Sequence, residues 1–223
     1  MTKFSDVNRV IFDLDNTLIK HDFEKLNDTL AIVFEVEDKE TFKKQFCNML
    51  LGHSAHFKKR IVTYDYFTKL IENMMPILKP SHITGSDILE GIDRYHTGTL
   101  VEGAKEILEY LNVKGYQIVA ATNWFYQYQL NILNKLGISS YFERIYAWDD
   151  YYAKPNHFAM IKALDGTHEK NNIMIGDNAE TDVKFAKNAG VKVIGLNVDY
   201  AKVKENIKAD VDITKLLEIK NYL

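Results

Sequence analysis

The sequence predicts an α/β protein: a Rossmann-like, doubly wound parallel sheet with a bundle of helices inserted after the first strand. From residue 101 onwards, short apolar strands alternate with helices through short turns, which is typical of a parallel sheet covered on both faces. Between residues 19 and 96 the apolar residues recur at helical spacing, which predicts a separate helical unit. The predicted core is residues 1–18 and 97–223, and the predicted insertion is residues 19–96.

Composition and charge favour a globular protein that acts on a small molecule. The chain has 223 residues, of which 46% are hydrophobic and 26% are charged, enough for one core and an insert. The net charge of -3 gives no electrostatic case for a nucleic acid or a membrane as partner. Cys47 is the single cysteine, and no signal-like or membrane-spanning apolar run occurs, so we expect a cytoplasmic protein without disulfides.

The first strand ends in two carboxylates. Val10 to Phe12 is apolar and β-branched or aromatic, which predicts a buried strand. Asp13 and Asp15 follow it, and alternate residues of an extended chain share a face, so both can address one site. A turn or a helix start would explain Asp15 equally well. It explains Asp13 poorly, because a buried carboxylate needs a cation, a donor or a reaction to offset its desolvation.

Four helices are predicted within the insertion, because four sets of apolar residues recur at helical spacing. The sets are Phe23, Leu26, Leu30 and Val33; Phe42, Phe46, Met49 and Leu50; Ile61, Tyr64, Phe67, Ile71 and Met74; and Ile88, Leu89, Ile92 and Tyr95. Four such segments in succession can bury their apolar stripes against one another as a small bundle.

The remainder of the chain is predicted to alternate between helices and strands. The helices are expected over 103–113, 125–136, 156–164 and 181–188, and the strands over 118–121, 144–147, 173–175 and 191–196, followed by a short strand and a final helix within 209–223. Glycines close several of these helices.

Polar residues follow two of these later strands. Thr122 and Asn123 come directly after the strand at 118–121, where a hydroxyl and a backbone amide can donate to a phosphate oxygen; the alternative is a helix cap for a segment that begins at Trp124. Asp177 follows an apolar strand through Gly176, and repeats the pattern of Asp13. Asp182, five residues further, is either part of the same site or a charge at a helix start.

A lysine precedes one of the predicted helices. Pro155 is expected at the first helical position, which would place Lys154 just before the helix amino terminus, where its ammonium and the helix dipole could act on one anion. The alternative for Lys154 is an ordinary solvated surface residue.

Together these stretches resemble the haloacid dehalogenase-like hydrolases. That superfamily carries Asp-x-Asp-x-Thr after the first strand, then a threonine or serine after a second strand, then a lysine before a helix, and last a Gly-Asp-x-x-x-x-Asp loop. Here these are residues 13–17, Thr122, Lys154 and residues 176–182, in the same order. The insertion resembles the helical cap of one branch of the superfamily.

The resemblance implies a phosphatase mechanism. Asp13 would attack phosphorus to give an aspartyl-phosphate, and Asp15 would protonate the leaving oxygen and then deprotonate water. Thr122 and the Asn123 amide would hold phosphate oxygens, and Lys154 would balance negative charge. Asp15 also favours phosphoryl transfer over dehalogenation, since a departing halide needs no proton.

A magnesium ion is the expected cofactor. Hydrolysis of a phosphate monoester brings a nucleophile to a dianion, so negative charge must be offset, and Mg²⁺ prefers carboxylate and carbonyl oxygens. Asp13, the backbone carbonyl of Asp15 and Asp177 can supply these oxygens. Asp182 is expected either to orient the metal site or to serve only as a helix-start residue.

The expected substrate is a small phosphate ester such as a nucleoside monophosphate or a sugar phosphate. Candidate substrate contacts are His21 and the polar stretch 52–60, which includes His53, His56, Lys58, Lys59 and Arg60. Two other functions stay open at this point: a signalling module that accepts phosphate on an aspartate without turnover, and a phosphomutase.

Overall fold

A parallel sheet forms the centre of the protein. The computed structural model describes residues 4–52, 61–79, 81–150, 152–201 and 207–223. Its strands are β1 (Arg9–Phe12), β2 (Ile19–His21), β3 (Gly98–Leu100), β4 (Gln117–Ala121), β5 (Arg144–Tyr146), β6 (Asn172–Gly176), β7 (Lys192–Leu196) and β8 (Val211–Ile213). In the order β5-β4-β1-β6-β7-β8, six of them pair in parallel as the main sheet. The predicted α/β fold class is confirmed.

Helices cover both faces of this sheet. They are α5 (Ala104–Val113), α6 (Tyr126–Lys135), α7 (His157–Leu164) and α8 (Lys184–Asn188). Successive residues of β1 point to opposite faces: Val10 and Phe12 join the core that contains α5 and α6, whereas Ile11 joins the core that contains α7 and α8. The sheet is therefore doubly wound.

In the described residues between β2 and β3, the structure contains four helices. These are α1 (Phe23–Val33), α2 (Lys39–Gly52), α3 (Tyr64–Met74) and α4 (Gly85–Tyr95), with a short 3₁₀ turn at Pro76–Leu78. Helix α1 packs on α2 and α4, and α3 packs on α2 and α4. The division into domains at residues 18 and 97 stays a prediction. No helix in the described ranges is long and apolar enough to cross a membrane.

The strand β2 was not predicted. The sequence suggested a helix directly after Thr17, but Ile19–His21 forms an antiparallel pair with Gly98–Leu100, so both ends of the helical insertion meet in one two-stranded ribbon. The helix α1 begins only after Asp22, whose side chain accepts the backbone N–H of Lys25 at 2.9 Å. Three residues are too few to show a period, so the alternation in β2 could not be recognised.

Several apolar positions of the predicted bundle lie at the surface. The predicted residues that are buried are Leu26, Leu30, Phe42, Phe46, Met49, Phe67, Ile71, Ile88, Leu89 and Ile92. Leu50, Met74 and Tyr95 are half-buried, and Tyr64, the first residue of α3, is 42% exposed. However, Phe23 is 38% exposed and Val33 is 41% exposed, because they occupy the two ends of α1. Ile61 is also exposed and precedes α3 instead of belonging to it.

Two later segments differ from simple α-helices. The predicted helix at 181–188 begins earlier, as a π-type turn at Ala179–Val183, and continues as α8. The predicted final helix is a 3₁₀ helix at Leu216–Asn221 that follows β8. The π-type turn brings Asp182 back towards the end of β6, which matters for the site described next.

Candidate active site

Three polar residues meet at the carboxyl edge of the sheet. Asp13 follows β1 and still pairs with β6, its N–H donating to Ile175 O at 2.8 Å. Thr122 follows β4, and its N–H donates to Tyr146 O at 2.9 Å. Asp177 follows β6. Because β4, β1 and β6 are neighbours in a parallel sheet, the structure brings these three residues to one place, where open α/β sheets bind ligands.

Three carboxylates form a cluster suited to a cation. Oxygen atoms of Asp13, Asp177 and Asp182 all lie within 4.8 Å of one another. Burial raises the pKa of Asp13 well above its usual value, and the neighbouring Asp182 raises it further. Burial and Asp182 likewise raise the pKa of Asp177. The cluster therefore carries more negative charge than its surroundings compensate, and a bound cation would stabilise it.

Lys154 is buried inside this cluster. Only 5% of Lys154 is exposed, and its ammonium contacts Asp13 Oδ1 and, at 2.7 Å, Asp182 Oδ1. Burial alone would lower its pKa, but the two carboxylates raise that pKa above the usual value, so the lysine stays charged. The interpretation of Lys154 as a solvated surface residue is wrong.

The lysine does not reach the site in the way that the sequence suggested. Pro155 is not the first helical residue, because a turn closed by Asn156 N–H and Ala153 O at 3.0 Å comes before α7. The side chain of Asn123 holds the lysine instead. Its Oδ1 accepts Lys154 N–H at 2.7 Å and its Nδ2 donates to Lys154 O at 3.1 Å. Asn123 thus fixes the backbone from which the ammonium extends.

The helix-cap interpretation of Thr122 and Asn123 is also wrong. Helix α6 begins at Tyr126, one residue later than the predicted 125 and two later than the start at Trp124 that a cap would require, and its first N–H donates to Asp149 Oδ1 at 3.0 Å. The Thr122 side chain therefore belongs to the strand-end site, whereas the Asn123 side chain is engaged by the backbone of Lys154.

Asp182 is held by the π-type turn. It is only 1% exposed, and its Oδ2 accepts the backbone N–H of Asn178 at 3.0 Å while Oδ1 contacts Lys154. A Cβ atom at Gly176 would lie 2.5 Å from the Asp182 carboxyl carbon, so glycine is needed there. Asp182 is therefore part of the cluster, and not a solvated charge at a helix start.

Asp15 lies beside the cluster with its own partners. Its Oδ1 is 2.6 Å from His21 Nε2, and Gln129 Nε2 donates to Oδ1 at 3.1 Å and to Oδ2 at 2.9 Å. Burial would raise the pKa of Asp15, but the bonds from His21 and Gln129 lower it below its usual value. Asp15 is therefore ionised at neutral pH in the resting protein.

The sequence indicated no role for Gln129, and it identified Thr17 only as the last residue of the Asp-x-Asp-x-Thr motif. Gln129 is fully buried on α6, and its Nε2 also donates to Thr122 Oγ1 at 3.1 Å. The sequence feature that could have indicated Gln129 is its position as a polar residue at helical spacing from the buried Phe125 and Ile132. Thr17 Oγ1 donates to Asp13 Oδ2 at 3.2 Å. Thr122 Oγ1 in turn donates to Asp15 Oδ2 at 3.5 Å, so Gln129, Thr122 and Asp15 form one hydrogen-bonded group.

A cavity of about 410 Å³ opens above these residues. Its floor includes Asp13, Asp15, Lys154 and Asp177, and its opposite wall comes from the helical insertion. His21, a candidate substrate contact, lines this cavity but is engaged by Asp15. The candidates at 53–60 lie outside the described residues. The arrangement combines an oxygen-rich cation site, a buried ammonium and hydroxyl and amide donors, which suits an oxyanion bound next to a carboxylate nucleophile.

Comparisons with known proteins agree with this geometry. Pyrophosphatase PpaX of Halalkalibacterium halodurans is 27% identical over 209 residues, which cover 88% of this chain and 89% of the relative. Pyrimidine 5'-nucleotidase PynA of Streptococcus pneumoniae is 26% identical over 203 residues, covering 84% of this chain and 83% of the relative. These two names specify different substrates.

The fold and the family are shown by two further comparisons. The magnesium-bound crystal structure of the putative HAD-hydrolase YfnB from Bacillus subtilis matches with a TM-score of 0.76 at 20% identity, over 97% of this chain and 100% of that one. The family model described as haloacid dehalogenase-like hydrolase matches residues 10–196. With most of its length matched, and with its strand-end acids placed as described above, the chain belongs to the haloacid dehalogenase-like hydrolases.

Proposed function

We propose that this hydrolase is a magnesium-dependent phosphatase that cleaves small phosphomonoesters through a phosphoryl group carried on Asp13. The observation that carries the proposal is the cluster of Asp13, Asp177 and Asp182 oxygens within 4.8 Å of one another, with the Lys154 ammonium bonded to two of these acids. The similarity to proteins named as phosphatases supports the same reaction class.

The residues present fit a magnesium ion. Ligand oxygens lie about 2.0–2.1 Å from Mg²⁺, so oxygens on opposite sides of the ion are about 4 Å apart, comparable with the spacing in this cluster. Asp13, Asp177 and the backbone carbonyl of Asp15 would hold the ion, and Asp182 would orient the site. When bound, it supplies positive charge that offsets repulsion between the acids and a phosphate dianion.

In the first step, Asp13 forms a bond to phosphorus while the bond from phosphorus to the leaving oxygen breaks. Asp15, which must first take up a proton from solvent, gives that proton to the leaving oxygen, so the leaving group departs as an alcohol. In the second step a water molecule attacks the phosphorus, Asp15 takes a proton from it, and the Asp13 carboxylate is released with phosphate. Asp15 thereby regains the proton that it lost.

The remaining residues bind and balance the phosphoryl group. Lys154 lies against Asp13 and compensates the charge that builds up there. The Thr122 hydroxyl and the Asn123 backbone amide would donate to phosphate oxygens. The helical insertion would act as a cap that closes the cavity and excludes water from the phosphorylated aspartate.

The proposal is tested by metal-dependent phosphate release. We expect release from p-nitrophenyl phosphate and from a panel of metabolite monophosphates in Mg²⁺, with loss of activity in excess chelator and recovery when Mg²⁺ is restored. Mg²⁺ should also raise the unfolding temperature, because it offsets repulsion within the acidic cluster. Equal activity with chelator would contradict the metal. Stable phosphorylation without turnover would indicate a phosphate-accepting module, and dependence on a bisphosphate activator would indicate a mutase.

Gln129 is expected to position Asp15 and Thr122. Replacing Gln129 with leucine removes donors to a carboxylate, so we expect kcat to fall by about 10-fold to 100-fold with little change in KM. Gln129→Glu should be worse, since it puts a negative charge against Asp15. Steady-state kinetics with the control Gln127→Leu, an exposed glutamine on the same helix, checks this. An unchanged kcat in Gln129→Leu would contradict the positioning role.

A further inference from the structure

The cavity above the acidic cluster has an apolar and aromatic side. Its described lining includes Phe23 from α1, Leu50 from α2 and Ile92 from α4, together with Trp124 and Tyr128 from the core. The volume of about 410 Å³ is within the range of about 300–1,000 Å³ that is usual for small-molecule sites. When the phosphate of an ester binds at the floor of the cavity, the leaving group of that ester contacts the apolar side.

Phe23 is the most solvent-exposed of the apolar residues described on this wall. It is 38% exposed, although its spacing in α1 predicted a buried residue. Its ring stacks on His96 with the two planes 7° apart and the centroids 5.4 Å apart, so the ring has a fixed orientation. An exposed aromatic ring held at a cavity wall gains stability when an apolar ligand covers it.

The apolar residues described on this wall, Phe23, Leu50 and Ile92, carry no group that would pair with a second negative charge. Lys154 is the only lysine or arginine among the described lining residues, and its ammonium already contacts Asp13 and Asp182. Burial, and then His21, lower the pKa of His96 to about 4, so this histidine is neutral at physiological pH. A carboxylate or second phosphate placed against these described apolar residues would lose hydration without gaining a cation, which is costly.

We propose that the preferred substrates are phosphomonoesters whose leaving group carries an uncharged planar ring, which packs against Phe23, Leu50 and Trp124. Esters that carry a second anionic group are poor substrates. This inference rests on the proposed phosphatase function and names its substrate class.

Benzyl phosphate, 2-phosphoglycolate and glycerol 1-phosphate test the proposal directly. All three esters release a primary alcohol, so differences in kcat/KM report mainly how the leaving group is bound. With the full-length protein and Mg²⁺, we expect benzyl phosphate to exceed each of the other two by at least about tenfold, because only its ring covers apolar wall.

Two variants test whether the preference for benzyl phosphate depends on the apolar residues of the cavity wall. Phe23→Ala should raise KM for benzyl phosphate by about tenfold and leave KM for glycerol 1-phosphate unchanged. Its matched control is Ile32→Ala, an exposed apolar residue of the same helix outside the described cavity lining. Leu50→Lys, at a partly exposed position, should lower kcat/KM for benzyl phosphate and raise it for 2-phosphoglycolate.

Each outcome supports or overturns the inference. Phosphate release with 2-phosphoglycolate as the better substrate of the wild type overturns the inference alone, and the phosphatase proposal stands. The same holds if Phe23→Ala and Ile32→Ala behave alike towards benzyl phosphate. Absence of release from all three esters and from p-nitrophenyl phosphate overturns the proposed function, and this inference with it.

Discussion

Replacing Asp13 with asparagine is expected to lower phosphate release by at least about 1,000-fold, because the amide cannot form the bond to phosphorus. Asp13 is the acid placed for this step: it ends the central strand β1, is only 6% exposed, and lies against both Lys154 and Thr17. The variant should still fold. It removes a buried carboxylate whose pKa is raised by burial, and it leaves Lys154 paired with Asp182.

The measurement is phosphate release from p-nitrophenyl phosphate and benzyl phosphate, with circular dichroism to verify the fold. The matched control is Asp165→Asn, which changes an exposed aspartate paired with Arg144 and should keep the wild-type rate. Retention of more than about a tenth of the activity in Asp13→Asn would mean that water attacks phosphorus directly and that Asp13 acts only as a metal ligand.

The strand-end residues could be predicted because two local rules apply to them. An apolar run of three or four residues predicts a buried strand, and a carboxylate at its end must lie at the sheet edge. Parallel pairing then brings Asp13 and Asp177 together, whatever the length of chain between them. Asp182 depends on a further local feature, the glycine at 176, which leaves room for its carboxyl group.

The residues that hold the site could not be predicted in the same way. Gln129 bonds to Asp15 across 114 positions of sequence, and Asn123 bonds to the backbone of Lys154 across 31 positions. Such contacts depend on how α6 and the turn at 153–156 pack on the sheet, and no local pattern encodes them. A buried polar residue at apolar spacing, as at Gln129, indicates that a partner exists but does not identify the partner.

In the helical insertion the sequence predicted the helices, but it did not predict which of their apolar residues are exposed. Its helices follow from periodicity, but the exposed position of Phe23 follows from β2, which ends at His21 and sets where α1 begins. The spacing of apolar residues predicts which face of a helix is apolar, but it does not predict whether other residues pack over the end of that face. Here the uncovered end lies at the cavity, where a substrate can cover it.

Replacing Asp15 with asparagine is expected to separate the two steps of the reaction. Nitrophenol is a good leaving group that departs without a proton, so Asp13 should still be phosphorylated and should release a stoichiometric burst of nitrophenol. Turnover should then stop, because nothing takes the proton from the attacking water. With benzyl phosphate, whose alkoxide needs a proton, the rate should fall by about 100-fold to 10,000-fold without a burst.

Rapid mixing measures the burst, and mass spectrometry of the quenched protein detects the phosphoryl group that stays on Asp13. Asp165→Asn again serves as the control, with steady turnover of both esters expected. Wild-type turnover of p-nitrophenyl phosphate by Asp15→Asn would show that Asp15 is not the base. A burst without turnover in the wild type would identify the protein as a phosphate-accepting module.

The hydrogen-bond partners of Asp15 explain why replacing Asp15 should slow hydrolysis of the phosphoryl-enzyme more than its formation. His21 and Gln129 both bond to its carboxylate and lower its pKa, so the resting site holds Asp15 as a base, ready to take a proton from water. For the first step a proton must be on Asp15, whose Oδ1 lies 2.6 Å from His21 Nε2. An aryl ester such as p-nitrophenyl phosphate does not need a proton on Asp15 in the first step, because nitrophenol departs without one. The ratio of burst rate to turnover rate in Asp15→Asn therefore measures how strongly the two steps depend on this one carboxylate.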